Sequence, residues 1–207
     1  MAETDELLIQ VQRIARLSEQ DFFRPFDPSF AELLHENPAR TARPTGKRLD
    51  RLLVAVDLSD CSRAALDYTL ALGEGIGARA IMVLYVLGPE SMRECIRRRY
   101  PFTPRTTEGP VLLDDRELID LVAEEREKSY ATLQCFVPSV STPRRIQLQV
   151  LFGDPVERIV EATEQSRVDL LIMGTHGRTG LQRVIMGSVA EQVVRAASCA
   201  VLTVKEG

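Results

Sequence analysis

The sequence predicts an α/β domain: a five-stranded parallel sheet, doubly wound by helices, with a helical N-terminal extension. Three observations predict it. Five near-continuous apolar runs recur between Arg51 and the last residues, each the length of a strand buried on both faces. Amphipathic stretches at helical spacing lie between them. Glycines and Asp-Pro steps punctuate the joins, as helix ends and helix starts require. Right-handed crossovers turn such an alternation into a sheet covered on both sides, with ligands expected beyond the carboxyl ends of the strands.

Taken in order, residues 5–18 place Leu7, Leu8, Val11, Ile14 and Ala15 on one helical stripe, with Thr4 or Asp5 as N-cap. Phe22, Phe23, Phe26 and Phe30 follow, and Asp27-Pro28 opens a short helix that Pro38 ends. The stretch "ENPARTARPTGKRLD" has no apolar periodicity and reads as a linker. Residues 1–48 are therefore expected to be a helical extension and linker, and 49–207 the main domain.

"RLLVAVD" is the first strand, and "SDCSRAALDYTLALGEGIG" is a helix closed by glycines. "ARAIMVLYVLG" is the second strand. Next, "PESMRECIRRRYPFTPRTTEGP" breaks the rhythm with Arg93, Arg97, Arg98, Arg99 and Arg105 among prolines, and reads as a basic loop. A long helix is expected from about Asp115 to Phe136, then strand "RIQLQVLFG". Helix "DPVERIVEATEQS" starts on an Asp154-Pro155 cap and leads to strand "VDLLIMG". Helix "SVAEQVVRAAS" and strand "CAVLTVKEG" close the domain.

Composition narrows the function classes. With 30 acidic against 26 basic residues, the 207-residue chain has no positive excess for general nucleic-acid binding. Cys61, Cys95, Cys135 and Cys199 are widely spaced and only two histidines accompany them, which predicts free thiols rather than a zinc site or disulfide scaffold. No apolar run has the ~18 residues of a membrane span, and the opening "MAETDELLIQ" is too acidic for a secretory or transit signal. A cytoplasmic protein is expected.

The segment "MGTHGRTGLQRVIMGSVAE" asks for a reason to spend four glycines between a strand and a helix. Glycine allows positive φ and close approach of a ligand to the backbone, and successive N–H groups in such a turn cradle anions. Gly187-Ser188 then opens a helix whose free N–H groups favour phosphate, with Ser188 as cap or donor. The alternative is that the glycines serve only turns and a close helix–strand contact. The spacing is Gly, two residues, Gly, nine residues, Gly-Ser, and it suits a polyphosphate.

On this segment the chain resembles the universal stress protein family, in its ATP-binding branch. The likeness runs from about Lys47 to Glu206, through "RLLVAVDLSDCSRAALDYTLAL" and "GDPVERIVEAT". It implies an adenine nucleotide alpha hydrolase-like fold, ATP with or without Mg2+ as ligand, and a homodimer formed through the C-terminal strand. It also implies phosphate and ribose contacts at Gly174, Gly177, Gly187 and Ser188, beside which Arg178 and Val189 are further candidate contacts. Adenine is implied against Ala55 and the backbone of Val86, with Asp57 as the carboxylate beside adenine and ribose. Asp57 capping the next helix together with Ser59 is an alternative that does not exclude this. The sequence departs at Tyr85, where the family often has histidine.

His176 could touch phosphate without a catalytic duty, and Arg178 and Arg183 are either phosphate partners or solvated. The Arg97–Arg99 run is a lid, an acidic-partner patch or a solvated loop. The leading reading is a nucleotide-dependent regulator of the stress response with at most slow ATP hydrolysis, because no Gly-x4-Gly-Lys-Ser/Thr loop is present. One alternative is an adenylyl-transferring or ATP-cleaving enzyme on the same scaffold, but neither a His-x2-His nor a Ser-Gly-Gly-x-Asp-Ser motif occurs. The other is a nucleotide-free interaction module. The N-terminal extension is left to cover its own domain, a second subunit or another protein.

Overall fold

The structure, a computed structural model, describes residues 9–11, 13–14, 49–99, 105–106, 109–110, 115–138, 146–175 and 186–205. Five strands form one parallel sheet: β1 (Arg51–Val56), β2 (Ala80–Leu87), β3 (Ile146–Phe152), β4 (Leu170–Gly174) and β5 (Ala200–Val204). Their order across the sheet is β3-β2-β1-β4-β5. The chain first winds outward from β1 through β2 to β3, then returns to the other side of β1. The switch point lies between β1 and β4, and a crevice opens there at the carboxyl ends.

Each strand alternates its side chains between two cores, as a period of two demands. Leu52, Val54 and Val56 enter one core, and Leu53 and Ala55 the other. The first core lies under α1 (Asp60–Ile76), α2 (Pro89–Arg99) and α3 (Asp115–Phe136), which contribute Leu66, Met92, Ile96, Leu118, Leu121 and Leu133. The second lies under α4 (Pro155–Gln165) and α5 (Ser188–Ala196), through Ile159, Ala162, Ala190 and Val193. Burying each of the larger ones, the Val, Leu, Ile and Met side chains, stabilises by about 1.5–3 kcal/mol. Residues 9–11 and 13–14 are helical, and Val11 and Ile14 join the first core. Part of the N-terminal stripe therefore packs on its own domain. The Phe22–Phe30 stretch and the helix expected after Asp27-Pro28 lie outside the described residues.

Local signals act as the sequence indicates. Gly77 caps α1 at φ 67°, a left-handed conformation that favours glycine. Asp154 caps α4, accepting from the Val156 and Glu157 N–H groups, with Pro155 in the first turn. At the far end of the sheet, Asp169 accepts from the Asp50 and Arg51 N–H groups at 3.0 and 2.9 Å, which ties the start of β4 to the start of β1.

The stretch read as a basic loop is in part helix α2, a correction with a plain cause. Met92, Cys95 and Ile96 are buried at spacings of three and four, and Pro89 begins the helix, where its missing N–H costs nothing. Arg97, Arg98 and Arg99 form its last turn. Arg97 pairs with Glu94, Arg98 with Glu125 at 3.3 Å, and Arg99 with Glu124 at 2.7 Å, so two of them bind α2 to α3. A two-residue antiparallel ladder follows, Arg105–Thr106 with Gly109–Pro110, which the sequence did not suggest.

Glu125 is the buried member of this contact. Its carboxylate accepts from Lys128 Nζ at 2.9 Å and from the Cys95 thiol at 3.0 Å. Burial pushes its pKa up, but the hydrogen bonds from Lys128 and Cys95 and the charges of Lys128 and Arg98 outweigh burial and hold it below 4.5. The Cys95 thiol moves the other way, to about 12, through burial and its bond to the Glu125 carboxylate. A carboxyl with a depressed folded pKa contributes stability above its ordinary value and loses it as pH falls through the folded one. Denaturant titrations from pH 7 down to pH 3 should therefore show part of the acid-side stability loss disappear in Glu125→Gln, which no longer titrates.

Candidate functional site

A cavity of about 360 Å³ opens at the carboxyl ends of β1, β2 and β4, within the size range of small-ligand sites. Ala55, Leu84, Val86 and Met173 belong to the second core and emerge at its edge; with Ile159 of α4 they line an apolar slot. Gly174, Thr175, Gly187 and Ser188 line the wall beside β4 and α5. Asp57 is the one charged side chain of the wall among the described residues.

Among the described residues, no side chain caps the start of α5. Its N-cap is Gly187, where no side chain bonds the first-turn N–H groups. Ser188, expected as a possible cap, is instead the first helical residue. Gly187 itself is tied down: its N–H donates to the Thr175 carbonyl at 2.6 Å, and the Thr175 N–H donates to the Val204 carbonyl at 2.9 Å. These bonds hold the entry of α5 against the ends of β4 and β5. The cavity thus has a helix N-terminus, with its partial positive charge, along one wall.

The two readings of Asp57 prove compatible in geometry. Its Oδ1 accepts from the Ser59 N–H and hydroxyl at 3.1 and 2.6 Å, and Ser59 in turn caps α1 by accepting from the Ser62 N–H. The carboxylate is thereby oriented while it faces the cavity.

Neither glycine of this wall owes its place to a positive φ. Among the described residues the positive-φ glycines are Gly77 and Gly153; Gly174 and Gly187 are not of that kind, and Gly187 sits at φ −68° and ψ 153°. At Gly174 the reason is space: a Cβ there would lie 2.9 Å from Cys61 Sγ, 3.1 Å from the Cys61 carbonyl carbon and 3.2 Å from its oxygen. α1 starts so close to the end of β4 that a side chain at this position has no room.

Of the positions the sequence singled out, Ala55, Asp57, Val86, Gly174, Gly187, Ser188 and Val189 line this one cavity. Gly177 and Arg178 lie outside the described residues, as do His176 and Arg183. Tyr85, the point of departure from the family pattern, is in the wall and buried. Sequence reasoning missed Ser62, Ser91, Pro155, Ile159 and Thr175 as lining residues. Ser91, Pro155 and Thr175 each follow a strand end by one to four positions, and that placement was the available signal.

The model of the universal stress protein family matches residues 101–205. Universal stress protein MJ0531 of Methanocaldococcus jannaschii is 31% identical over 157 residues, covering 75% of this chain and 82% of that protein. This chain belongs to the universal stress protein family. Among solved structures, universal stress protein UspA from Lactobacillus plantarum superposes with a TM-score of 0.54 at 26% identity, over 77% of this chain and 99% of that one. The structure of MJ0577 from Methanocaldococcus jannaschii gives the same TM-score at 24% identity, over 78% and 99%, and supports the fold alone. The family match begins at residue 101, yet β1 and β2 of this universal stress protein precede it and supply Ala55, Asp57 and Val86 to the cavity. Among the described residues no helix is long and apolar enough to cross a membrane, no cluster of potential metal ligands occurs, and all four cysteines are free.

Proposed function

We propose that this universal stress protein binds ATP in the cavity at the switch point and acts as a nucleotide-dependent, dimeric regulator in the stress response. One observation carries the reading. An apolar slot and a helix N-terminus that no described side chain caps share a single cavity of about 360 Å³, with an oriented carboxylate in its wall. The slot suits a planar purine, the carboxylate accepts from a ribose hydroxyl, and the α5 N–H groups suit phosphate. Gly177 and Arg178 would complete the phosphate cradle, and Val189 contributes its N–H in the first turn of α5. Mg2+ accompanies the triphosphate in this reading, without a dedicated protein site.

Hydrolysis is slow or absent, since the loop carries no lysine of the Gly-x4-Gly-Lys-Ser/Thr type to organise the γ-phosphate. The assembly is a homodimer. β5 is an edge strand, and an apolar edge with open backbone groups favours pairing with a second copy. The free cysteines suit a reducing cytoplasm, the compartment assigned in this reading. Nucleotide occupancy changes partner surfaces only as far as one state binds it better than another.

The test is to denature the purified chain and identify released small molecules by mass spectrometry, with light scattering on the native sample. ATP or ADP in near-stoichiometric amount and twice the 23.1 kDa chain mass are expected. No nucleotide, and no thermal stabilisation on adding Mg-ATP, overturns the ATP reading. A monomer at all concentrations overturns the dimer.

A further inference from the structure

The cavity has a second polar wall that the family resemblance does not assign. Gly88 and Ser91, in the turn joining β2 to α2, both line it. Ser91 is half-buried, and its hydroxyl forms no hydrogen bond among the described residues. Most of the other wall hydroxyls have structural work: Ser62 donates to the Ser59 carbonyl, and Thr175 lies beside Cys61.

Ser91 is also held firmly. The inner face of α2 buries Met92, Cys95 and Ile96, and its last turn is tied to α3 through Arg98–Glu125, Arg99–Glu124 and Cys95–Glu125. A hydroxyl on an anchored helix costs little to order when a ligand arrives. Its place in the sheet says which end of a ligand it meets. The N-terminus of α5 is joined to the end of β4 through Gly187 and Thr175, whereas Ser91 follows β2. Since β1 lies between them, the two walls are two strand spacings apart, about 10 Å. With phosphate at α5, the far wall faces the nucleoside end, where Leu84, Val86 and Ile159 of the apolar slot lie.

We infer that Ser91 is a specificity-determining contact for the nucleoside end of the ligand, its hydroxyl hydrogen-bonding the base or sugar from the α2 side. The inference rests on the nucleotide reading above. A neutral hydrogen bond of this kind sets the expected loss at about 3- to 10-fold in affinity.

The experiment measures equilibrium affinity for two probes, ATP and adenosine, in wild type, Ser91→Ala, Ser91→Thr and Gly187→Val. Ser91→Ala is expected to weaken both probes by the same factor, because both carry the nucleoside. Ser91→Thr, which keeps the hydroxyl, is expected to stay closer to wild type. Gly187→Val is expected to weaken ATP while leaving adenosine nearly unchanged, because it acts at the phosphate end. Unchanged adenosine and ATP affinities in a folded Ser91→Ala protein overturn the assignment of Ser91 alone. A Ser91→Ala loss seen with ATP and absent with adenosine also overturns it, placing the residue at the phosphates. Wild type that binds neither probe overturns the nucleotide reading, and the Ser91 assignment with it.

Discussion

Gly174→Val is expected to lower the unfolding free energy by about 3 kcal/mol, the upper range for forcing added methyl groups into a filled interior. The first added carbon already falls 2.9 Å from Cys61 Sγ and within 3.2 Å of the Cys61 carbonyl group. The thiol can rotate, but the carbonyl belongs to the first turn of α1, which Ser59 caps and the Asp57 carboxylate orients. The clash must therefore move either α1 or the end of β4, and both support the cavity. A second variant separates the two contributions. Cys61→Ala should restore only part of the stability lost in Gly174→Ala, because it removes the sulfur contact and leaves the backbone contacts in place. Urea unfolding of wild type, Gly174→Val, Gly174→Ala, Cys61→Ala and the double variant supplies the measurement. Full restoration by Cys61→Ala would show that the sulfur alone excludes a side chain here.

Gly187→Val separates function from folding. The observed φ of −68° and ψ of 153° are open to any residue, so valine strains no backbone there. The bond from the Gly187 N–H to Thr175 can persist. The expected stability cost is about 1 kcal/mol, since valine is a poorer N-cap than glycine. At a position lining the cavity, however, three added carbons compete with the ligand for space beside the helix N-terminus. ATP affinity is expected to fall about 10- to 100-fold, the equivalent of a 1–3 kcal/mol overpacking cost. A variant that melts close to wild type and binds ATP as tightly would remove the phosphate site from this end of α5.

The contrast between these glycines marks what the sequence could reveal. The five strands, the Asp115–Phe136 helix and the Asp154-Pro155 cap were legible because each depends on local periodicity or local cap chemistry. Gly174 was legible as special, but the motif suggested the ligand as its reason. The structure adds a second reason, a close approach to Cys61, 113 positions earlier in the chain; it is the helix–strand contact the sequence left as the alternative, with a partner that no local pattern names. The same limit hid α2. Its Met92, Cys95 and Ile96 spacing was present, but the dense arginines and flanking prolines read as loop until Glu124 and Glu125 of α3 supplied their partners. Ser91 was overlooked for that reason, since a residue read as loop suggests no wall of a cavity. Burial of Val11 and Ile14 was likewise open in the sequence, where an apolar stripe states that something covers it without naming the surface.

The central claim is that the cavity at the β1–β4 switch point holds an adenine nucleotide by its phosphates against α5. Isothermal titration of Mg-ATP into ligand-stripped wild type and Gly187→Val, side by side, tests it most directly. The account predicts one saturable site per wild-type chain and a marked loss of affinity in a folded variant. No saturable heat with wild type, or equal affinity in the two proteins, would contradict it.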